Sequence, residues 1–209
     1  MPVEFSVLGA FVVAAGALVL SPGPDTILIL RYTLDSGQRT GLATVAGVQV
    51  GLILHTLLAV AGISLVIASS PVLFRAVAVA GAAYLAWLGL QSFRARGPLR
   101  LDGGGTPVTA ARAFRHAVLC NLLNPKVILL FLALFPNFVD TGRDDVTAQL
   151  LTLAATLIFI NVLWQTPLAW AGDVARRWLA RPGILRAVQR ATGAILLFFA
   201  ATMLIEHLL

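Results

Sequence analysis

Ser21-Pro22-Gly23-Pro24-Asp25 puts two prolines, a glycine and a carboxylate inside an otherwise apolar run over residues 5–30. Pro22 and Pro24 lack an N–H and clash with the turn before them, so a helix entering this stretch must open. Gly23 is expected to take backbone angles that other residues resist. Opening the helix frees carbonyl groups, and the flanks are so apolar that the surrounding solvent reads as lipid. Irregular backbone at that depth is tolerated only where it is buried in protein or lines a cavity. Asp25 therefore reads as a carboxylate held at a cavity. It can also serve as N-cap of a half-helix starting near Thr26.

Composition carries the same message: 59% apolar residues, 11% charged residues and a mean hydropathy of +0.91 exclude an ordinary soluble domain. The spans and their loops use up the 209 residues, so one integral membrane domain over 1–209 is expected, all-α and without a separate soluble module. Glu4 stands where a cleaved signal would carry basic residues, so the first apolar run reads as a retained span. The single cysteine, Cys120, rules out an internal disulfide or a dithiol electron carrier and reads as a small buried apolar residue.

Six apolar spans follow, each about 20 residues or longer, the length needed to cross the hydrocarbon core. They cover about 5–30, 41–68, 72–93, 113–139, 146–171 and 185–208. The first is broken at Pro22-Gly23-Pro24 and the fourth at Asn124-Pro125-Lys126, while the fifth carries Asn161, Gln165 and Pro167. Residues 97–109 form the one extended Gly/Pro-rich polar segment. Its Gly103-Gly104-Gly105 lacks both the preceding strand and the following Lys-Ser/Thr of a phosphate loop, so it reads as a linker. Glu206 and His207 near the end of the sixth span can reach an interface.

Basic residues set the expected orientation. Twelve of the fifteen fall at three connections: Arg31 and Arg39, then Arg94, Arg96, Arg100, Arg112 and Arg115, then Arg176, Arg177, Arg181, Arg186 and Arg190. The opposite side has Arg75 and Arg143 with Asp140, Asp144 and Asp145. The basic loops are therefore expected in the cytoplasm and both termini outside. The net charge of +6 is thus a topology signal; arginines that flank spans without interleaved aromatics do not point to nucleic acid.

Six spans divide into two sets of three that cross in opposite directions, the arithmetic of an inverted repeat. Repeat one covers about 1–96, the loop about 97–112 and repeat two about 113–209, and the first span of each half is the broken one. Proline kinks with local repair are the plainer reading of either break alone. Asp25 and Lys126, of opposite sign, each sit at one break, and Lys126 is the sole lysine beside fourteen arginines. A charge at mid-bilayer costs about 2.5 to 3.5 kcal/mol even on the lenient scale, so both are expected to face the protein interior or water. Direct pairing of the two is one hypothesis.

In the second span Gly47, Gly51 and His55 share a face. The glycines read as helix-packing positions and His55 as either a buried histidine or a proton-handling group. His55, His116 and His207 do not converge, so no metal site is expected. Asn161 and Gln165 share a face and could bond a polar solute or a neighbouring helix.

Taken together, Ser21-Pro22-Gly23-Pro24-Asp25, residues 41–55 with their spaced glycines, Gly81-Ala82-Ala83-Tyr84-Leu85-Ala86-Trp87-Leu88-Gly89, and Asn121-Leu122-Leu123-Asn124-Pro125-Lys126 followed by Phe135-Pro136-Asn137-Phe138 resemble the LysE/RhtB family of bacterial amino-acid exporters over nearly the whole chain. The resemblance implies a six-span inner-membrane translocator that expels amino acids or close derivatives, driven by the proton motive force. The Pro-Gly-Pro-Asp and Asn-Pro-Lys stretches look like the counterparts of the family's most characteristic segments.

A mechanism consistent with that class follows from charge. Asp25 would meet the substrate ammonium or exchange a proton, and Lys126 with a half-helix N-terminus would meet the carboxylate, with Asn124, Pro125, His55, Asn161 and Gln165 around them. The partners expected are an amino-acid substrate, protons and the bilayer, with a homo-oligomer left open; no cofactor is implied. Transport of a different solute such as a metal ion is the competing reading, although only Asp25 and His55 qualify as intramembrane ligands. An enzyme is disfavoured, because Ser21 has no partner histidine at helical spacing and Cys120 stands alone.

Overall fold

The computed structural model describes residues 2–94, 106–179 and 181–208, the side chains of 64–69, 71, 129, 173 and 206–208 excepted. The linker as far as residue 105, Arg96 and Arg100, and the Glu206 and His207 side chains lie outside the described residues. The described chain is helical, without strands: α1 (Phe5–Leu20), α2 (Pro24–Ser36), α3 (Gln38–Ser69), α4 (Pro71–Arg94), α5 (Ala110–Leu122), α6 (Pro125–Leu134) with a 3-10 turn at Phe135–Phe138, α7 (Val146–Trp170), α8 (Gly172–Leu179) and α9 (Pro182–Leu208).

By length and composition, four stretches can cross a membrane: Gln38–Ile63, Val72–Arg94, Val146–Trp170 and Pro182–Ile205. The number becomes six if α1 with α2, and α5 with α6, each count as one span bent by 52°. Most of these helices are apolar on every side, which is why they lack the polar stripe of a soluble bundle. α8 is the exception. It is a short amphipathic helix where the sequence reads as loop, with Leu179 fully buried while Val174 and Trp178 stay exposed.

Glycines let the helices approach. A Cβ on Gly51 would come 2.5 Å from Asn121 Oδ1, and one on Gly47 would collide with the Phe114 carbonyl, so α3 lies directly on α5. Gly89 and Gly193 do the same for α4 and α9, each Cβ position lying about 3 Å from the other's carbonyl oxygen. Gly37, at φ 86°, turns the chain from α2 into α3 and donates to Thr33 O at 2.9 Å, a left-handed position that glycine takes without strain.

Two apolar clusters result. One joins α1, α3, α4, α6, α7 and α9 around Phe11, which meets Phe135 and Phe138 edge-on at 5.7 and 5.3 Å. The other joins α2, α3, α5, α7 and α8 around Ile29, Leu30, Val48 and Leu168. Polar side chains from both breaks lie between them. The first cluster extends to the acidic end (Glu4, Asp140, Asp144, Asp145), the second to the arginine-rich end. At the acidic end Arg143 donates to Asp145 at 2.8 Å, and that hydrogen bond holds the Asp145 carboxyl below the usual carboxylate range.

Candidate functional site at the paired helix breaks

Both breaks have the same local build. Gly23 precedes Pro24 and Asn124 precedes Pro125, each proline taking the first helical position, where its missing N–H removes no bond. Asp25 and Lys126 then occupy the second positions of α2 and α6. Asp25 is not an N-cap, since α2 starts at Pro24 and Gly23 occupies the cap position without a side chain to bond. Nor is Gly23 required by backbone angle: at φ −139° and ψ −171° it is extended, a conformation open to any residue. The Lys126 side chain passes alongside it, with Cδ and Nζ at 3.6 and 3.7 Å from where a Cβ would sit, ordinary contact distances.

Each charge is satisfied by the opposite break. Asp25 Oδ2 accepts from Asn121 Nδ2 at 2.9 Å and from Asn124 Nδ2 at 3.3 Å. Lys126 Nζ donates to the Ser21 carbonyl at 2.6 Å, one of the groups freed where α1 ends. Thr192 of α9 donates at 3.0 Å to Ala17 O, beside the bond that this carbonyl accepts from the Ser21 N–H. Asp25 and Lys126 form no ion pair with each other; Asn124 links them, its Oδ1 accepting the Lys126 backbone N–H at 3.1 Å while its amide faces Asp25.

The remaining candidates are close by. Asn161 Oδ1 accepts from Gln165 Nε2 at 2.6 Å, and Gln165 Oε1 accepts from Gln49 Nε2 at 3.1 Å, an amide chain from α7 to α3. Buried His55 contacts the Asn121 carbonyl through Nε2 at 3.2 Å and stacks on Phe131, so it reaches the site through Asn121. Gly47 and Gly51 lie at the α3–α5 contact behind Asn121.

Asp25, Asn121, Asn124, Lys126, Asn161 and Gln165 line a cavity of about 40 Å³, room for a few waters. Asp25 Oδ1 has no hydrogen-bond donor there. On the arginine-rich side of the breaks a second cavity of about 390 Å³ shares Ser21, Gly23, Asn124 and Lys126 with the first. No group of three His, Cys, Asp or Glu that could hold a metal ion occurs among the described residues.

Sequence reasoning passed over Asn121 and Gln49. Asn121 is fully buried and lies one turn before Asn124, and a buried amide inside an apolar span is itself the signal that could have marked it. The acceptor for Lys126 is a backbone carbonyl, which no side-chain pattern announces.

An all-helical membrane protein whose polar centre is built from two broken helices has the build of a translocator. Residues 16–207 match the family described as LysE type translocator, and the chain belongs to that family, as its motifs lead one to expect. It is therefore a translocator and not an enzyme. Similar proteins include the uncharacterized membrane protein YrhP of Bacillus subtilis, 33% identical over 91% of this chain and 94% of its own. A homoserine/homoserine lactone efflux protein of Salmonella typhi is 32% identical over 93% and 94%, and a leucine efflux protein of an Enterobacter species is 32% identical over 98% and 99%. No solved structure gave a significant match.

Proposed function

We propose that the chain is a secondary active exporter of amino acids or close derivatives across the bacterial inner membrane, with proton entry as the driving reaction. The observation that carries this reading is the reciprocal satisfaction of Asp25 and Lys126 across two helix breaks. A zwitterion brings an ammonium and a carboxylate. Asp25 Oδ1, without a donor, is the acceptor for the ammonium or for a proton. The Lys126 ammonium has three N–H donors and can leave or share the Ser21 carbonyl to take the carboxylate. Family membership and relatives named for homoserine and leucine efflux support the same substrate class.

Coupling follows from exclusion. Asp25 holds either a substrate ammonium or a proton, so a proton arriving from outside displaces the cargo, and loss of that proton inside restores the empty carboxylate. His55, in contact with Asn121, stands next to this exchange as a proton-handling group. With about 40 Å³ between the breaks, the conformation is closed around its centre.

The architecture that serves this cycle is two inverted three-helix repeats, α1 to α4 and α5 to α9, with the arginine-rich loops cytoplasmic and the termini outside. Supporting it are the equal 52° bends, the matched proline and charge positions, and the pairing of α3 with α7 and α4 with α9, helices that an exchange of halves would swap. The likeness is incomplete, for α2 packs on α3 while α6 packs on α4 and α3 rather than on α7.

Counterflow in proteoliposomes, with a panel of labelled amino acids and amines, tests the function. At least one amino acid should be released, several-fold faster with the outside acidic. No release of any amino acid or amine, with or without a pH gradient, overturns the reading.

A further inference from the structure

The 390 Å³ cavity has a structural origin in the two bends. Beyond them α2 and α5 turn toward α3 and each other, while α4 and α9 pack together through Gly89 and Gly193. Among the described residues neither α2 nor α5 packs substantially on α4 or α9. The space left between is roofed by the two breaks and walled by Tyr84, Trp87 and Leu88 of α4 and by Leu185 and Leu196 of α9, with Gln91 and Gln189 as polar groups. Its size falls within the roughly 300 to 1,000 Å³ of small-molecule sites.

The chemistry of the lining is selective. Among the described residues that form the cavity, Lys126 is the one charged side chain. Because the cavity shares Ser21, Gly23, Asn124 and Lys126 with the smaller space at Asp25, a zwitterion bridging Lys126 and Asp25 leaves its side chain in the larger one. A cationic side chain would find no carboxylate among the described lining residues and would lie near the Lys126 ammonium. An anionic side chain would compete with its own α-carboxylate for that single ammonium. Walls of leucine with the rings of Tyr84 and Trp87, and neutral polar groups at Gln91, Ser92, Gln189 and Thr192, suit side chains that are apolar or end in a hydroxyl or amide.

We propose that this cavity is the compartment that selects the substrate's side chain, and that it admits amino acids with uncharged side chains, Gln91 and Gln189 setting the charge preference and Trp87 the size. This rests on the export reading and narrows it to a substrate class.

Counterflow of leucine, homoserine, lysine, glutamate and phenylalanine by the unmodified protein, by Gln189→Glu of α9 and by Gln91→Glu of α4 is the test. The unmodified protein should carry leucine or homoserine at least about tenfold faster than lysine or glutamate, the margin expected when a charged side chain lacks a partner. At least one glutamate variant should raise the lysine-to-leucine ratio by about tenfold, and Trp87→Ala should raise the phenylalanine-to-leucine ratio. Lysine or glutamate carried as fast as leucine by the unmodified protein overturns the proposal, as does an unchanged lysine-to-leucine ratio in both glutamate variants. If no amino acid moves at all, the export reading itself falls, a result distinct from lysine and leucine moving alike.

Discussion

The two breaks share a local plan and differ in how they are completed. At Gly23-Pro24-Asp25 the new helix receives a negative charge at its positive end, the favourable arrangement, but no side chain caps it. At Asn124-Pro125-Lys126 the cap is supplied from within, Asn124 Oδ1 accepting from Lys126 N, while the charge has the sign that the helix N-terminus disfavours. Lys126 therefore turns across to the Ser21 carbonyl at the C-terminal end of α1, where a cation is welcome. One break supplies its own cap and sends its charge across; the other has no side-chain cap and keeps its charge, which takes its donors from Asn121 and Asn124. The difference teaches that the breaks are a complementary pair, neither one complete alone.

Exchanging the charges challenges that complementarity hardest. In an Asp25→Lys, Lys126→Asp double variant the Asn121 and Asn124 amides can turn round, but the Ser21 carbonyl cannot and would face an aspartate. Transport should fall to background; retained transport would mean that the breaks are interchangeable. Asn124→Ala removes both a cap and a donor to Asp25, and should lower stability by about 1 to 2 kcal/mol. Thermal unfolding in detergent reads the loss, and an Asn124→Asp variant should restore the cap but not the transport rate, because a second carboxylate would face Asp25. The smallest effect is expected at Gly23, and Gly51 is its contrast. Gly51→Ala forces a Cβ to within 2.5 Å of Asn121 Oδ1 and should cost about 1 to 3 kcal/mol as overpacking does, whereas Gly23→Ala, whose Cβ meets Lys126 at ordinary contact distance, should leave the melting temperature nearly unchanged. Equal melting shifts for the two would undo the assignment of Gly51 to close helix packing.

The spans and both breaks were legible in the sequence because hydrophobic length and proline act locally. α9 starts at Pro182, three residues before the apolar run at Leu185, because a proline opens a helix readily. α8 was not legible: eight residues rich in arginine carry no length signal, and the helix is held by Leu179, which is buried only once α2 and α7 are in place. Within the site, residue types and positions could be read, but partners could not. Whether Asp25 meets Lys126 or Asn121 depends on the approach of α5 to α3, which Gly47 and Gly51 permit but do not specify, and the acceptor at Ser21 belongs to the backbone.

In the proposed mechanism Lys126 reads the carboxylate and Asp25 the ammonium of one bound zwitterion. Its most direct test is equilibrium binding of a transported amino acid, its carboxamide and its deaminated hydroxy acid to the purified protein and to Lys126→Ala and Asp25→Asn. Lys126→Ala should weaken the amino acid about 100-fold, the loss of a buried charge-assisted contact worth about 3 kcal/mol, and leave the carboxamide unchanged. Asp25→Asn should weaken the amino acid and leave the hydroxy acid unchanged. If each variant weakens all three ligands alike, the two charges hold the helix breaks together and do not read the substrate.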